Sequence, residues 1–375
     1  GETPKPLFPL VGQSPLERIS SFLIKNEILD SIWLCGYKSQ DFKEYARIIE
    51  KKYKLNIEIL IEDEALGECG KLKEKLLEKK ETYIFLSGDI IFNINLKKAI
   101  DFHNHNGSHL TLFTHTSTHA HDSDCIIESP QKNIFDYKLK TDKTHKEGSF
   151  LGNSGIYIFN GENFNKAIRE INQKQISVFR EVFPKFIEMG FRVMSYNTSE
   201  YIHDIGTKKR FKTSEEEIKK NILEKKCYDN KQSCLFLDRD GTLIDCFEGE
   251  YVTNKDQIRL KEDKILKIKK IAKDFDTVEL ITNQPAVSMK KIKEQDLIIL
   301  NGILVNMCLK LGLKIDQIRY CPHHPHSGFP NEIKSLKRYC FCRKPKPGLL
   351  LEAIYEKNIS TENSLFIGDT WRDKL

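Results

Sequence analysis

The sequence predicts an α/β protein of two domains, each a mainly parallel sheet with flanking helices. Three observations carry that expectation. Short apolar runs alternate with amphipathic helical stretches, the pattern of strands joined by helical crossovers. Several runs stop abruptly at Asp, as in residues 83–86 before Ser87-Gly88-Asp89 and residues 234–237 before Asp238. Open parallel sheets bind ligands at the carboxyl ends of their strands. At 375 residues the chain also exceeds the length at which a single core stops growing.

Taken in order, the chain opens with a proline-restricted loop that carries Lys5. Ser14-Pro15-Leu16-Glu17 then begins a helix, with Ser14 as N-cap and Pro15 at the first helical position. A strand over 31–35, a helix over 41–53 and a strand over 57–61 follow. The Leu66–Gly70 turn carries two glycines, Gly67 and Gly70, residues 71–79 are expected as helix, and 83–86 as strand. Asp89 follows that strand, and Tyr201-Ile202-His203-Asp204-Ile205-Gly206-Thr207 delivers a further carboxylate into a glycine turn. Alone, each Asp is an ordinary turn residue. Together with the lysine loop they point to metal-assisted phosphoryl or nucleotidyl transfer.

Residues 213–232 are dense in Glu and Lys and are expected as a solvated helix, capped by Thr213 or Ser214, and a linker. That divides the chain into domains over 1–212 and 233–375. In the second, a buried strand runs into Asp238-Arg239-Asp240-Gly241-Thr242. Residues two apart on an extended chain share a side, so Asp238 and Asp240 are aimed together beyond the strand. Like charges held close call for a cation, and Mg²⁺ accepts carboxylates while leaving room for phosphate oxygens. A Lys-rich helix over 261–274 precedes a strand over 278–281 ending in Thr282-Asn283-Gln284, whose hydroxyl and amides suit phosphate oxygens. A helix over 298–311 and a strand over 317–320 lead to Cys321-Pro322-His323 and then Cys340-Phe341-Cys342. Close ligand pairs separated by a loop are what a closed, structural zinc site needs, here Cys321, His323, Cys340 and Cys342, with His324 and His326 as spare candidates. Arg343 and Lys344 follow at once, and a strand over 364–367 ends in Gly368-Asp369, a third carboxylate for the cation, with Asp373 as a possible fourth.

Composition narrows the partners. Apolar residues make up 39% and charged residues 30% of the chain, the balance of a soluble globular protein. The net charge of +6 is dispersed, without a basic arm or arginine stripe, so nucleic acid is not an expected partner. No run of about 18 apolar residues exists to span a membrane. Ten unevenly spaced cysteines do not form a secreted disulfide framework, and a reducing cytoplasm is expected. Association into a homo-oligomer is left open. Both ends read as cut, since the chain begins at Gly1 inside a motif and stops just beyond another, so a fragment of a longer protein is expected.

The first half resembles the sugar-1-phosphate nucleotidyltransferases through Pro4-Lys5-Pro6-Leu7, the Ala65–Gly70 turn, Leu86-Ser87-Gly88-Asp89, Asn153-Ser154-Gly155-Ile156-Tyr157 and His203-Asp204-Ile205-Gly206-Thr207, in that order. The resemblance implies a Rossmann-like domain that joins a sugar 1-phosphate to a nucleoside triphosphate with release of pyrophosphate. It further implies Lys5 on the phosphates, Asp89 and Asp204 on Mg²⁺, Gly67 and Gly70 near the sugar or base, and Asn153 and Gly155 lining the sugar pocket. The family's glycine-rich triphosphate loop would precede Gly1, and without it the chain as given is expected to transfer poorly. Thr114 to Asp124 could offer His115, His119, His121, Asp122 and Asp124 to a metal, but a polar loop near the sugar site is the preferred expectation. Lys140 and Lys143 are alternatives for a sugar-phosphate lysine.

The second half, over about 233–375, resembles the haloacid dehalogenase superfamily phosphatases through Asp238–Thr242, Thr282-Asn283-Gln284, Arg343-Lys344-Pro345 and Gly368-Asp369. The Cys/His loop narrows this to the histidinol-phosphate and D,D-heptose-1,7-bisphosphate phosphatase branch. The resemblance implies Asp238 as nucleophile forming an aspartyl-phosphate and Asp240 as general acid/base. Mg²⁺ would sit on Asp238, the Asp240 backbone and Asp369. Thr282, Asn283 and Lys344 would lie at the phosphoryl group, with Arg343 at the substrate. Pro285-Ala286-Val287 departs from the glycine-containing segment usual in the heptose enzymes. Together the halves imply removal of the distal phosphate of D-glycero-D-manno-heptose 1,7-bisphosphate, then activation of the remaining 1-phosphate with GTP to GDP-heptose for surface polysaccharide. The alternatives are a phosphatase beside a non-catalytic binding module, and a histidinol-phosphate phosphatase.

Overall fold

A computed structural model of the protein describes residues 3–75, 77–118, 123–142, 148–246 and 250–374. His119, His121, Asp122 and Lys143 therefore lie outside the described residues. The chain packs as two compact units. The first takes residues 1–113, 154–196 and 200–227, and the second takes 114–153, 197–199 and 228–375. The sequence pattern divides the chain near 213–232; the packing also assigns 114–153 to the second unit.

In the first unit, helix α1 (Pro15–Lys25) starts where expected, with the Ser14 hydroxyl accepting from the Glu17 N–H at 3.0 Å. Its apolar stripe of Leu16, Ile19, Phe22 and Leu23 is buried. Strand β1 (Asp30–Cys35) runs parallel to β2 (Asn56–Ile61), with α2 (Ser39–Tyr53) as the crossover. Strands β3 (Thr82–Leu86) and β4 (Ile90–Asn93) lead into α3 (Leu96–His105), capped by Asn95. Strand β5 (Leu110–Thr116) carries the chain into the second unit, where β6 (Cys125–Glu128) and β7 (Ile134–Lys138) form an antiparallel hairpin. Strand β8 (Leu151–Asn160) returns to the first unit and pairs antiparallel with β3. Helices α4 (Gly161–Arg169) and α5 (Phe183–Glu188), strand β9 (Val193–Asn197) and strand β10 (Tyr201–Asp204) follow, β10 lying antiparallel to β4. Helices α6 (Lys208–Lys219) and α7 (Ile222–Lys225) close the unit. Its core includes Leu16, Trp33, Ile90, Phe113 and Ile156.

Two local expectations need correction. Among the described residues of 71–79 no α-helix forms, only a 3-10 turn over Gly70–Lys73. Distant partners capture the backbone beyond it. The Leu77 N–H donates to Asn165 Oδ1 at 3.2 Å, Asn165 Nδ2 donates to the Leu77 carbonyl at 2.8 Å, and the Glu78 N–H donates to the Tyr83 hydroxyl at 2.9 Å. Helix α6 begins at Lys208, with the Thr207 hydroxyl accepting from the Arg210 N–H at 3.2 Å, so neither Thr213 nor Ser214 is its cap. An N-cap at Thr207 satisfies an orphan donor of the first turn.

Besides the β6–β7 hairpin, the second unit holds a four-stranded parallel sheet in the order β13–β12–β11–β14, formed by β11 (Cys234–Leu237), β12 (Thr277–Asn283), β13 (Gln317–Cys321) and β14 (Leu365–Ile367). Helices α8 (Glu262–Ala272), α9 (Glu294–Lys310) and α10 (Gly348–Lys357) flank it. All of β11 is buried, as parallel strands covered on both faces are. The fully buried Glu279 within β12 is matched by Arg319 at 2.8 Å and Lys357 at 2.9 Å. No helix among the described residues is long and apolar enough to cross a membrane.

Candidate active sites

In the second unit β11 ends at Leu237, and the Asp238 N–H donates to the Ile367 carbonyl of β14 at 2.9 Å. This sets the Asp238 side chain at the carboxyl edge of the sheet, buried. Lys344 Nζ sits between Asp238, at 2.7 Å, and Asp373, at 2.5 Å. Oxygens of Asp238, Asp369 and Asp373 all lie within 4.8 Å of one another. A set of converging carboxylate oxygens fits a hard divalent cation. Gly241 explains how Asp369 comes so close. Its φ is +81°, and a Cβ there would stand 1.9 Å from an Asp369 oxygen.

Asp240 is held apart from this cluster. Gln284 Nε2 donates to its carboxylate at 2.6 Å, Arg239 donates through Nε at 3.1 Å and Nη2 at 2.9 Å, and the Thr282 hydroxyl stands at 3.4 Å. Thr282 and Gln284 therefore meet Asp240, a partnership that their neighbouring places at a strand end did not disclose. Asn283 works on the backbone instead: Nδ2 donates to the Lys344 carbonyl at 3.1 Å and Oδ1 accepts from the Lys344 N–H at 3.0 Å. It thereby fixes the segment that delivers Lys344. Arg343 donates to the His323 carbonyl at 3.1 Å.

Burial pushes the Asp238 carboxyl up to about 6 against the pull of Lys344. At Asp373 burial acts in the same direction, but the Lys344 hydrogen bond and charge, with Thr370, outweigh it and hold the group below its usual value. One lysine thus serves two acids, and the more deeply buried one remains the more basic.

Cys321, His323, Cys340 and Cys342 gather as the sequence pattern predicts. The Cys342 sulfur lies 3.4 Å from both the Cys321 and the Cys340 sulfurs, and His323 Nδ1 lies 3.2 Å from Cys342 Sγ. A tetrahedron with arms of about 2.3 Å needs similar edges, roughly 3.8 Å, so the donor set fits a zinc-sized ion. Hydrogen bonding from Cys321 is the largest influence lowering the Cys342 thiol to about 5. His324 and His326 turn to each other, the His326 N–H donating to His324 Nδ1 at 3.1 Å, and stand outside the cluster.

In the first unit Lys5 Nζ donates to the Gly206 carbonyl at 2.8 Å. The Asp89 carboxyl is raised by burial and then by the charge of Asp204, with Lys5 opposing. The three predicted groups are therefore electrostatic neighbours. Sequence reasoning missed Arg210, which grips both Asp204 oxygens at 2.8 and 2.9 Å from the first turn of α6. Gly155 has φ of +78°, and a Cβ there would stand 2.7 Å from Ser87 Oγ, just ahead of Asp89. The Gly67 turn is stapled to the backbone of Ile176, which a Cβ would meet at 2.7 Å. In the second unit, the Asn153 N–H donates to the Asp124 carbonyl at 2.9 Å and the Lys140 N–H to Asp124 Oδ1 at 2.7 Å.

Comparison with known proteins assigns each half. The nucleotidyl transferase family matches residues 1–221. The D-glycero-β-D-manno-heptose-1,7-bisphosphate 7-phosphatase of Pasteurella multocida is 33% identical over 144 residues, 38% of this chain and 74% of that protein. The enzyme of the same name from Helicobacter pylori is 35% identical over 148 residues, 39% of this chain and 78% of that protein. A solved Bacillus anthracis structure, assigned as a glucose-1-phosphate thymidylyltransferase, superposes with a TM-score of 0.50 at 14% identity, covering 57% of this chain and 86% of that one; this likeness is one of fold. The chain belongs to the nucleotidyl transferase family through its first half and to the heptose-bisphosphate phosphatase family through its C-terminal region, a fusion of two enzymes.

Proposed function

We propose that the second unit removes one phosphate from a sugar bisphosphate, D-glycero-D-manno-heptose 1,7-bisphosphate, and that the first half then joins the remaining 1-phosphate to GTP, giving GDP-heptose and pyrophosphate for surface polysaccharide. The observation that carries the phosphatase reading is the division of labour at the sheet edge. Asp238 is buried against Lys344, while Asp240 is held separately by Gln284 and Arg239.

An Asp238 oxygen attacks phosphorus, the bond from phosphorus to the sugar oxygen breaks, and Asp240 gives its proton to the departing oxygen. Asp240 then takes a proton from water as that water attacks the aspartyl-phosphate, releasing inorganic phosphate and restoring Asp238. An anion attacks an anion only when positive charge offsets the repulsion. Lys344 supplies one charge, and Mg²⁺ held by Asp238, Asp369 and the Asp240 backbone, with Asp373 adjoining, would supply the rest. Thr282 and Arg343 would steady the phosphoryl group and the sugar. Zn²⁺ on Cys321, His323, Cys340 and Cys342 would pin the loop that carries Arg343 and Lys344.

In the first unit Lys5 would meet phosphate oxygens, Asp89 and Asp204 would hold Mg²⁺, and Gly155 would lie at the sugar. Sugar phosphates and a nucleoside triphosphate are soluble metabolites, which suits a cytoplasmic enzyme. Phosphate release measured across sugar bisphosphates and histidinol phosphate tests the first step. Pyrophosphate release on adding each nucleoside triphosphate to the product tests the second and reads the base. Release from histidinol phosphate alone would overturn the sugar assignment.

A further inference from the structure

A cavity of about 440 Å³ lies within the second unit, away from the carboxylate cluster. One wall is the 126–132 and 148–151 stretch; the other comes from α9, β13 and the loop after it. The walls are clamped together. The Thr116 hydroxyl donates to the Ile315 carbonyl at 2.8 Å, Asn306 Nδ2 donates to the Ser149 carbonyl at 3.2 Å, and a Cβ on Gly302 would stand 1.8 Å from the Gly148 oxygen. The space is therefore flanked by backbone on both sides.

Its lining carries polar atoms without a hydrogen-bond partner among the described residues. They are Asn301 Nδ2, Gln317 Oε1, Asn197 Oδ1 and Glu128 Oε2, and both Asn301 and Gln317 are only 3% exposed. Leaving a buried polar group unpaired is costly, because it gives up its bonds to water without replacement. The orientation of two of the amides is fixed by their other ends. Asn301 Oδ1 accepts from Arg239 Nη1 at 2.9 Å, and arginine has only donors, so Asn301 offers the cavity an N–H. Asn197 Nδ2 donates to the Asp316 carbonyl at 3.4 Å, so Asn197 offers an acceptor. Three acceptors against one donor call for a ligand rich in N–H or O–H.

Charge argues against an anion. Lys132 is paired with Glu128 at 2.9 Å, Arg319 is shared among Glu279, Glu352 and Glu356, and Arg338, the other lining cation, is engaged with His323 Nε2 at 3.0 Å and is balanced by the lining Glu294. The remaining wall is largely apolar, with Phe150, Ile298, Ile318 and Leu336. A volume in the range of about 300–1,000 Å³ with apolar walls and a few convergent polar groups is that of a small-molecule site. We propose that this cavity binds a purine nucleoside, its flat ring against the apolar wall, its N–H edge on the Asn197 and Gln317 oxygens and a ring nitrogen or carbonyl accepting from Asn301 Nδ2, and that the bound ligand slows phosphate release through Asn301, Arg239 and Asp240. The relay is continuous: Asn301 holds Arg239, and Arg239 donates to the Asp240 carboxylate at 2.9 Å. The relay rests on the role proposed for Asp240; binding does not.

Calorimetry with guanosine, adenosine and mannose as separate titrants tests it on the full chain, beside Asn197→Leu/Gln317→Leu, which keeps bulk and removes acceptors. A purine nucleoside binds, and the double variant weakens that binding at least tenfold with basal phosphate release and melting temperature unchanged. Saturating nucleoside slows phosphate release about fivefold, an ordinary allosteric coupling, and has no effect on the double variant. Binding that is equal in both proteins places the nucleoside elsewhere, and no purine binding at millimolar concentration leaves only water in the cavity; either result overturns the proposal. Mannose binding alone overturns the ligand class. Nucleoside binding that follows the variant without any phosphatase activity would keep the pocket and sink the Asp240 reading instead.

Discussion

The carboxylates at the two candidate sites share a sequence signature and differ in their surroundings. Asp238 is buried, shares Lys344 with Asp373, and has a neighbour, Asp240, with partners of its own. Asp204 is half-exposed and gripped by Arg210 from the adjacent helix, and its charge acts on the neighbouring Asp89. A carboxylate that attacks phosphorus gains from a dry, pre-arranged setting. Carboxylates that only anchor a cation and leave the attack to substrate can remain open to the substrates they admit. On the proposed roles, the buried Asp238 would do the chemistry and the half-exposed Asp204 would hold a cation.

The sharpest way to break that contrast is Asp238→Asn, which keeps shape and removes the nucleophile. Phosphate release should fall about 10⁴-fold or more, on the scale of losing a triad member, while nucleotidyl transfer from heptose 1-phosphate supplied directly is unchanged in the same protein. Asp89→Ala should do the reverse. Equal losses at both activities from either variant would show that the sites do not work separately.

Chelation probes the loop that delivers Lys344. Removing metal should release zinc and lower thermal stability by several kcal/mol, in line with the folding energy that structural zinc supplies. An unchanged melting curve after chelation would make the cysteine cluster an ordinary buried group.

Next in size is Glu279→Gln, which strands Lys357 in the sheet and leaves Arg319 with only Glu352 and Glu356, and should cost about 3–5 kcal/mol, the usual consequence of breaking a buried pair. The pH dependence has a definite sign. Burial would raise Glu279, but Arg319 and Lys357 outweigh it and lower the group to about 2. A depressed carboxyl gives stability that is complete above its unfolded value and is lost as pH falls from there toward 2. Urea midpoints of the native chain should drop over that interval, and those of Glu279→Gln should drop less.

The smallest effects concern residues that orient. Gln284→Leu leaves the Asp240 carboxylate with Arg239 and Thr282 and should lower kcat for phosphate release about tenfold to a hundredfold with KM little changed. Arg210→Ala should move transfer less than Asp89→Ala does, since it touches the carboxylate from outside.

The α/β class and both sets of strand-end carboxylates were legible because each is a local pattern: an apolar run followed by Asp. The Cys/His cluster was legible for the same reason, as close pairs around a loop. What escaped depends on contacts distant in sequence. The helix expected over 71–79 gave way to Asn165, 88 residues on from Leu77. Residues 114–153 read as part of the first domain yet pack in the second unit, where Thr116 meets Ile315 across 199 residues. Arg210 escaped because a lysine-rich helix start hides one arginine aimed back at Asp204. Gln284 was visible in its motif, but whether it faces phosphate or Asp240 is set by the pairing of β12 with β11, which periodicity does not report.

The most direct test of two separate sites acting in sequence is a single-pot time course. The protein would be given D-glycero-D-manno-heptose 1,7-bisphosphate, GTP and Mg²⁺, with inorganic phosphate and pyrophosphate followed together. Inorganic phosphate should appear first and pyrophosphate after a lag and at a lower rate, with Asp238→Asn abolishing both and Asp89→Ala abolishing only pyrophosphate. Pyrophosphate released without prior phosphate release, or surviving in Asp238→Asn, would contradict the sequence of steps.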